Sequence, residues 1–278
     1  MRIDLHTHSN CSDGTDNPAD VIAKAAQAHL DVVALTDHDT TLGWVPAGAA
    51  AEHHGIHLVR GIELSTRNGD HGQHLLGYAF NPADPALVAM LARGNEAREG
   101  RTAAILERLN EHGLELTDKQ VRAEVTGDAT VGRPHIAAAM ITAGHVSDHA
   151  EAFDDYLKPG AKAYVERYAP DIIDAIRVIA AAGGVTVIAH PRGRKSLVPE
   201  GRFDELKAAG LTGIEVDHQE HSAAQREELR GIARNLDLVV TGSSDYHGAN
   251  KKNHDLGCNL TAPEELERLL GAVRHRGA

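Results

Sequence analysis

Apolar and polar residues alternate from the start of the chain: Ile3, Leu5 and Thr7 interleave with Asp4, His6 and His8. A period of two is that of a strand, here with one apolar face and one face carrying two imidazoles. A helix signal follows. Asn17 is placed to cap it, Pro18 suits its first position, Asp20 complements its dipole, and Val21, Ile22, Ala25 and Ala26 form an apolar stripe. Residues 31–36, Asp-Val-Val-Ala-Leu-Thr, read as a short buried parallel strand. A second helix is predicted from about Val45 to His54, with Gly55 as its C-cap. Strands within Ile56–Ser65 and Gln73–Phe80, parted by the Asp70-His71-Gly72 turn, predict a hairpin.

Between Asn81 and Tyr168 the pattern becomes helical. Leu87, Leu91, Ile105, Leu106 and Leu109 mark a long amphipathic segment, with an interruption expected over the charged stretch from Gly94 to Arg101. Asp118 is expected to cap a short helix, and Thr130–Ala143 and Ser147–Leu157 form two more. Strand–helix alternation then resumes. Helices are predicted over Pro170–Ala182, Phe203–Ala209, Ala223–Leu236 and Pro263–Arg274, and strands end at His190, His218 and Gly242. Seven strands joined mostly through helices make an α/β protein. The division is a barrel from 1–80 and 169–278, with a helical insertion over 81–168 that closes over the site and contributes to substrate binding.

At 278 residues the chain is long enough for one α/β barrel or two modest domains. A formal net charge of −12 gives no overall basic field for duplex DNA or an anionic membrane surface. No apolar run reaches the roughly 18–20 residues of a membrane span. The His-x-His pair at residues 6–8 leaves no room for a cleaved signal peptide. Cys11 and Cys258 are the two cysteines, with no Cys-x-x-Cys, so no structural thiolate zinc site is expected, and a reducing, cytoplasmic setting is.

The nineteen histidines change the picture, because imidazole is the commonest protein metal ligand. Near the strand ends stand His6, His8, Asp13, His38, Glu63, His74, His190, Asp245 and His247. Active-site residues of α/β barrels gather at that rim. Six imidazoles and three carboxylates form a nitrogen–oxygen donor set that favours zinc, manganese or iron over calcium. Nine ligands exceed the needs of one catalytic ion, so two or three ions sharing a bridging carboxylate are expected.

Four motifs, Asp4-Leu-His-Thr-His8, Thr36-Asp-His38, Ala189-His-Pro191 and Ser244-Asp-Tyr-His247, together with Gly61-Ile-Glu-Leu-Ser65 and His74, resemble those of the PHP (polymerase and histidinol phosphatase) family of metal-dependent phosphoesterases. The resemblance covers essentially the whole chain. It implies a distorted seven-stranded (β/α)7 barrel with a small helical insertion and a trinuclear centre of divalent ions, manganese favoured, zinc or iron possible. By the same resemblance His6, His8, Glu63 and Asp245 hold one ion, Glu63, His74 and His190 a second, and Asp13, His38 and His247 a third. It also implies phosphoester hydrolysis by a metal-bridging hydroxide, with His190, His247 and Asp245 as the catalytic positions.

Gly132-Arg-Pro-His-Ile136, Tyr156-Leu-Lys-Pro-Gly160 and Ala163-Tyr-Val165 look like the insert of the family's nucleotide phosphatases. They imply a small nucleotide substrate such as a nucleoside 3′,5′-bisphosphate, or a short 5′-phosphorylated RNA cleaved from its 5′ end. Arg133 can fork onto a phosphate and His135 can add a donor. Lys158 and Arg192 complete the candidate substrate contacts, and Arg194 follows the same loop. Histidinol-phosphate hydrolysis, amide hydrolysis and a non-enzymatic metal-binding module are the alternatives. Asp37 and Asp39 adjoin His38 and are candidates to orient it. Trp44 walls the pocket or packs. Tyr246 is expected to pack against the barrel. His218 is read as an outer partner of the ligands, and His221 and His254 as surface residues.

Overall fold

The hydrophobic periodicity is realised in a computed structural model, which describes residues 1–125, 131–166, 168–193 and 197–276, with 98–99 and 274–276 described by backbone alone. The elements in order are β1 (Ile3–Asp4), α1 (Pro18–Gln27), β2 (Val32–Leu35), α2 (Trp44–His54), β3 (His57–Asn68), β4 (His71–Tyr78), α3 (Pro85–Glu111), α4 (Asp118–Ala123), α5 (Arg133–Thr142) and α6 (His149–Ala152). They continue with α7 (Ile172–Ala181), β5 (Val185–Ile188), α8 (Arg202–Ala209), β6 (Gly213–Asp217), α9 (Ala223–Asn235), β7 (Val239–Gly242) and α10 (Pro263–Arg276). The chain forms two compact units, Met1–Leu91 with Ala169–Ala278, and Ala92–Tyr168.

In the first unit the seven strands lie in sequence order in one sheet. The pairs β1–β2, β2–β3, β5–β6 and β6–β7 are parallel. Strand β4 runs antiparallel to both β3 and β5, as the hairpin pattern predicts. Its reversal distorts the barrel and brings the amino half of β4 to the rim reached by the carboxyl ends of the other strands. A parallel bridge between Thr7 and Tyr246 links the two edges of the sheet, and His8 N donates to Tyr246 O at 2.8 Å. The result is a distorted (β/α)7 barrel.

Side chains of alternate strand positions fill the inside. Ile3, Leu5, Val32, Val59, Leu76 and Val187 belong to one cluster that also takes in Leu266 and Leu269 of α10. Each fully buried Leu or Ile contributes about 1.5–3 kcal/mol. Outside, the α1 stripe of Val21, Ile22 and Ala25 packs on Val33 and Leu35. Trp44 packs rather than walling a pocket: its indole N–H donates to Gly61 O at 2.8 Å and its ring meets Phe80.

Helix α1 has the Asn17 cap read from sequence, its side chain accepting from Asp20 N. Three expectations are corrected. Helix α3 runs unbroken through Gly94–Arg101, because one or two interior glycines cost only about 1 kcal/mol each and the intervening Glu, Ala and Arg are good helix formers. Thr117, not Asp118, caps α4, in a reciprocal box with Gln120. The Ser147–Leu157 helix is capped by Asp148 and widens at Phe153–Leu157 into a π-helical turn. Thr130, the expected start of the preceding helix, lies outside the described residues. The second unit has its own core of Ile105, Leu109, Val121, Ile136, Met140 and Leu157 with its neighbours.

Candidate metal centre

The turn after β1 is built by Asp37, whose carboxylate accepts from Ser9 N, Ser9 Oγ and Ser12 Oγ, each at 2.7 Å. Gly14 closes the turn, since a Cβ there would lie 2.6 Å from His8 O. This fold-back carries Asp13 over the strand end, where Oδ1 is 3.3 Å from His247 Nε2 and 3.6 Å from His8 Nδ1. Its other oxygen is 3.7 Å from His38 Nε2. Asp37 thus orients the turn instead of His38, and Asp39 receives Ser65 N at 2.8 Å and Ser65 Oγ at 2.9 Å, tying the His38 loop to β3. Asp39, His190 and Asp245 all have left-handed backbone (φ 53°, 29° and 53°). Such positions cost about 1–3 kcal/mol and cluster at functional sites.

Glu63, buried inside β3, is the hub. Its Oε2 lies 3.2 Å from His6 Nε2, 3.1 Å from His8 Nε2 and 3.2 Å from His38 Nδ1. Its Oε1 lies 2.9 Å from His74 Nδ1 and 3.1 Å from His190 Nε2. Asp245 Oδ1 is 3.5 Å from both His6 Nε2 and His8 Nε2, and 3.4 Å from His247 Nδ1. All nine candidate ligands therefore meet at one end of the barrel. Ligand-type atoms fall into the groups His6–His8–Glu63, His38–Glu63–His74 and His8–Asp13–His38–His247, each within 4.8 Å.

The donor set fits divalent cations. His6 Nε2 and His8 Nε2 are 3.0 Å apart, a separation that suits one N–H···N bond and equally two lone pairs on a shared cation. Two donors at about 2.1 Å from one ion, set at roughly tetrahedral or octahedral angles, are separated by about 3.0–3.4 Å. The buried Nδ1 atoms of His38 and His74 also lack a well-aligned hydrogen bond despite their nearness to Glu63. Groups arranged to satisfy one another by hydrogen bonds alone would not leave such atoms.

The electrostatics carry the same imprint. Burial acts to lower the pKa of His6, yet Glu63, Asp245 and Glu215 lift it well above the ordinary value. Burial likewise opposes protonation of His8, but hydrogen bonds to Asp245 and Glu63 raise it to about 10. At His38 burial wins and the pKa falls to about 4. Burial would raise Glu63, but the imidazoles led by His38 and His74 hold it well below the usual carboxylate range.

Behind the nine stand further residues, of which the sequence marked His218 as an outer partner but gave no reason to single out Glu215 or Lys251. Glu215 Oε1 receives His6 Nδ1 at 3.0 Å, and its Oε2 accepts from His190 N at 2.7 Å. His218 Nε2 meets Asp245 Oδ2 at 3.1 Å, and Lys251 Nζ contacts the same oxygen. Asp4 accepts from Ser244 N at 3.0 Å and Gly257 N at 2.9 Å. His221 and His254, expected at the surface, are buried, because their Nδ1 atoms bond to the carbonyls of Val216 and Ser244. Tyr246 packs beside the barrel as expected and donates to Asp16 at 2.5 Å.

The candidate substrate contacts divide. Arg192 is corrected: its buried guanidinium donates to Pro191 O at 3.2 Å, to Val198 O and to Glu228 at 2.6 Å, so among the described residues it holds its own loop to α9. Arg194 lies outside the described residues. Arg133, His135 and Lys158 belong to the second unit. There Arg133 donates to Leu157 O at 3.0 Å, with its guanidinium over the Phe153 and Tyr164 rings. His135 Nδ1 accepts from Gly132 N at 3.0 Å at the start of α5, and Lys158 pairs with Asp154 at 2.8 Å. Among the described residues no helix is long and apolar enough to cross a membrane.

Comparison with known proteins matches residues 4–244 to the PHP domain. The chain is 36% identical to the 3′,5′-nucleoside bisphosphate phosphatase of Chromobacterium violaceum, over 92% of this chain and 90% of that protein. It is 34% identical to a 5′-3′ exoribonuclease of Haemophilus influenzae, over 88% and 90%. A solved structure from Bifidobacterium adolescentis superposes with a TM-score of 0.84 at 36% identity, covering 97% of this chain and 96% of that one.

Proposed function

The chain belongs to the PHP domain family and is a metal-dependent phosphoesterase, and from that premise we propose that it hydrolyses nucleotide phosphomonoesters, nucleoside 3′,5′-bisphosphates first among them. The observation that carries the chemistry is the convergence of five imidazole nitrogens on the two oxygens of Glu63. In this reading His6, His8, Glu63 and Asp245 hold one ion, Glu63, His74 and His190 a second, and Asp13, His38 and His247 a third. When bound, such cations neutralise phosphoryl oxygens and acidify water.

The protein's own part is orientation. Glu215 fixes the ring of His6, His218 and Lys251 fix one oxygen of Asp245, and the Asp37 turn fixes Asp13. His190 and His247, at the rim with side-chain exposures of 16% and 11%, combine ligation with access to the substrate. Arg133 and His135 are assigned to the nucleotide's phosphate. The relative named a bisphosphate phosphatase supports this choice of substrate, and the one named an exoribonuclease supports short 5′-phosphorylated RNA as a second.

The test is phosphate release, with manganese, from adenosine 3′,5′-bisphosphate, 5′-phosphorylated oligoribonucleotides and histidinol phosphate. The bisphosphate should have the highest kcat/KM. Preference for histidinol phosphate would overturn the substrate assignment.

A further inference from the structure

A fourth set of ligand-type side chains closes on the far oxygen of Asp245. His218, Asp245 and His254 are all buried, and one ligand atom from each lies within 4.8 Å of the others. By donor type alone this is a metal site. Neighbouring backbone fixes both imidazoles. Glu220 N donates to His218 Nδ1 at 3.2 Å, so the ring proton sits on Nε2 and points at Asp245 Oδ2, 3.1 Å away. His254 Nδ1 donates to Ser244 O at 2.6 Å, which leaves its Nε2 as a lone pair.

One more group enters the cluster. The ammonium of Lys251 contacts Asp245 Oδ2, and its side chain is only 28% exposed. Asp245 is thereby split between two tasks. Oδ1 faces His6, His8 and His247, whereas Oδ2 faces His218 and Lys251. The lysine is held from both ends, because its loop is tied to the Asp13 turn by Asn250 Nδ2 donating to Asp13 O at 2.8 Å.

We propose that Lys251 supplies the fourth cation itself, its ammonium occupying the position at Asp245 and His254 that a divalent ion would otherwise take. Steric closure does not explain an ion's exclusion. Lys251 and His254 line an open recess of about 630 Å³, shared with Gln219, Glu220, Asn250, Lys252 and Asn253, so the lysine and His254 border solvent while Asp245 lies buried behind them. What keeps a divalent ion out is positive charge on the oxygen it would need. A tethered ammonium neither dissociates nor exchanges, so this wall of the centre keeps a fixed charge whatever the metal supply, and the number of bound ions is capped at the three assigned to the nine rim ligands.

The readout is bound metal, so the inference does not depend on which phosphate ester is the substrate. The full-length protein and its variants are loaded with excess manganese or zinc, gel-filtered and analysed for metal per chain. His254→Gln should bind as many ions as the parent, since His254 holds none. Lys251→Met, which keeps the length and removes the charge, should bind one more. The double variant Lys251→Met with His254→Gln should return to the parental number. Loss of an ion in His254→Gln would overturn the proposal, because the fourth group would then hold metal in the unaltered protein. Parental stoichiometry in folded Lys251→Met would overturn it as well; where Lys251→Met fails to fold, Lys251→Gln supplies the same neutralised position and the same expected extra ion.

Discussion

Glu215 Oε1 lies 3.0 Å from Nδ1 of His6, the ring nitrogen opposite the one that faces Glu63. A carboxylate behind a ligand imidazole fixes its tautomer and makes the outward nitrogen a better donor. The same carboxylate accepts from Ser243 Oγ and from His190 N, so it sets two ligands at once.

Glu215→Gln keeps the volume and removes the charge. Metal affinity should fall by about 10–100-fold. Titration with manganese after chelation measures it, and excess metal should restore part of the lost activity. Unchanged affinity would leave Glu215 with a packing role alone.

Metal loading should expel protons. In the metal-free protein His6 is raised well above its ordinary pKa and His8 to about 10, whereas ligation requires neutral imidazoles. Affinity should therefore rise with pH, and calorimetric titrations near pH 7 in buffers of different ionisation heat should give different apparent enthalpies. The stability of the metal-free fold should run the other way. Raised histidine pKa values contribute stability that is fully present below 6.5 and fades as the pH climbs towards about 10 at His8. The Tm of chelated protein should fall across that window.

Gly248→Ala should loosen the outer rim. Gly248 has φ 64°, and a Cβ there would overlap Thr15 Oγ1, which accepts from Ala249 N at 2.9 Å. A loss of about 1–3 kcal/mol is expected, or roughly 2–10 °C in Tm, measurable by calorimetry. The ion assigned to Asp13, His38 and His247 should be lost first on dialysis, since Thr15 N also bonds His247 O at 3.2 Å.

Arg133→Lys separates recognition from packing. If Arg133 engages the nucleotide's phosphate through a planar fork, kcat/KM for the bisphosphate should fall roughly tenfold or more through KM, with p-nitrophenyl phosphate little affected. Equal losses on both substrates would trace the residue's role to its bond with Leu157 O.

Much of the barrel could be read from periodicity, because buried strands leave short apolar runs and caps leave Asn17-Pro18 or a terminal Gly55. Most of the nine rim side chains were legible for a related reason, an apolar run that ends in or is broken by an imidazole or carboxylate, whereas Asp13 was marked by its Ser-Asp-Gly turn and the set as a whole by its family motifs. What supports them was not. Glu215 meets His6 across 209 residues of sequence, and Lys251 looks like any loop lysine until the barrel brings Asp245 beneath it. Asp37 and Asp39 adjoin His38 in sequence, yet their carboxylates serve Ser9, Ser12 and Ser65. Arg192 illustrates the converse error. Its position after His190 suggested a phosphate, and only the folded loop discloses that Glu228 and two carbonyls claim it.

The bridge between Thr7 and Tyr246, with Asp4 holding Ser244 N 240 residues away, also orders events in time. During synthesis the first histidines emerge long before the carboxylate that completes their coordination. A prematurely released chain thus carries His6, His8 and Glu63 without Asp245, one ligand short of the set assigned to their ion. Full loading should therefore wait for the last strand to dock, whereas the ion assigned to Glu63, His74 and His190 needs no residue beyond β5 and its following loop.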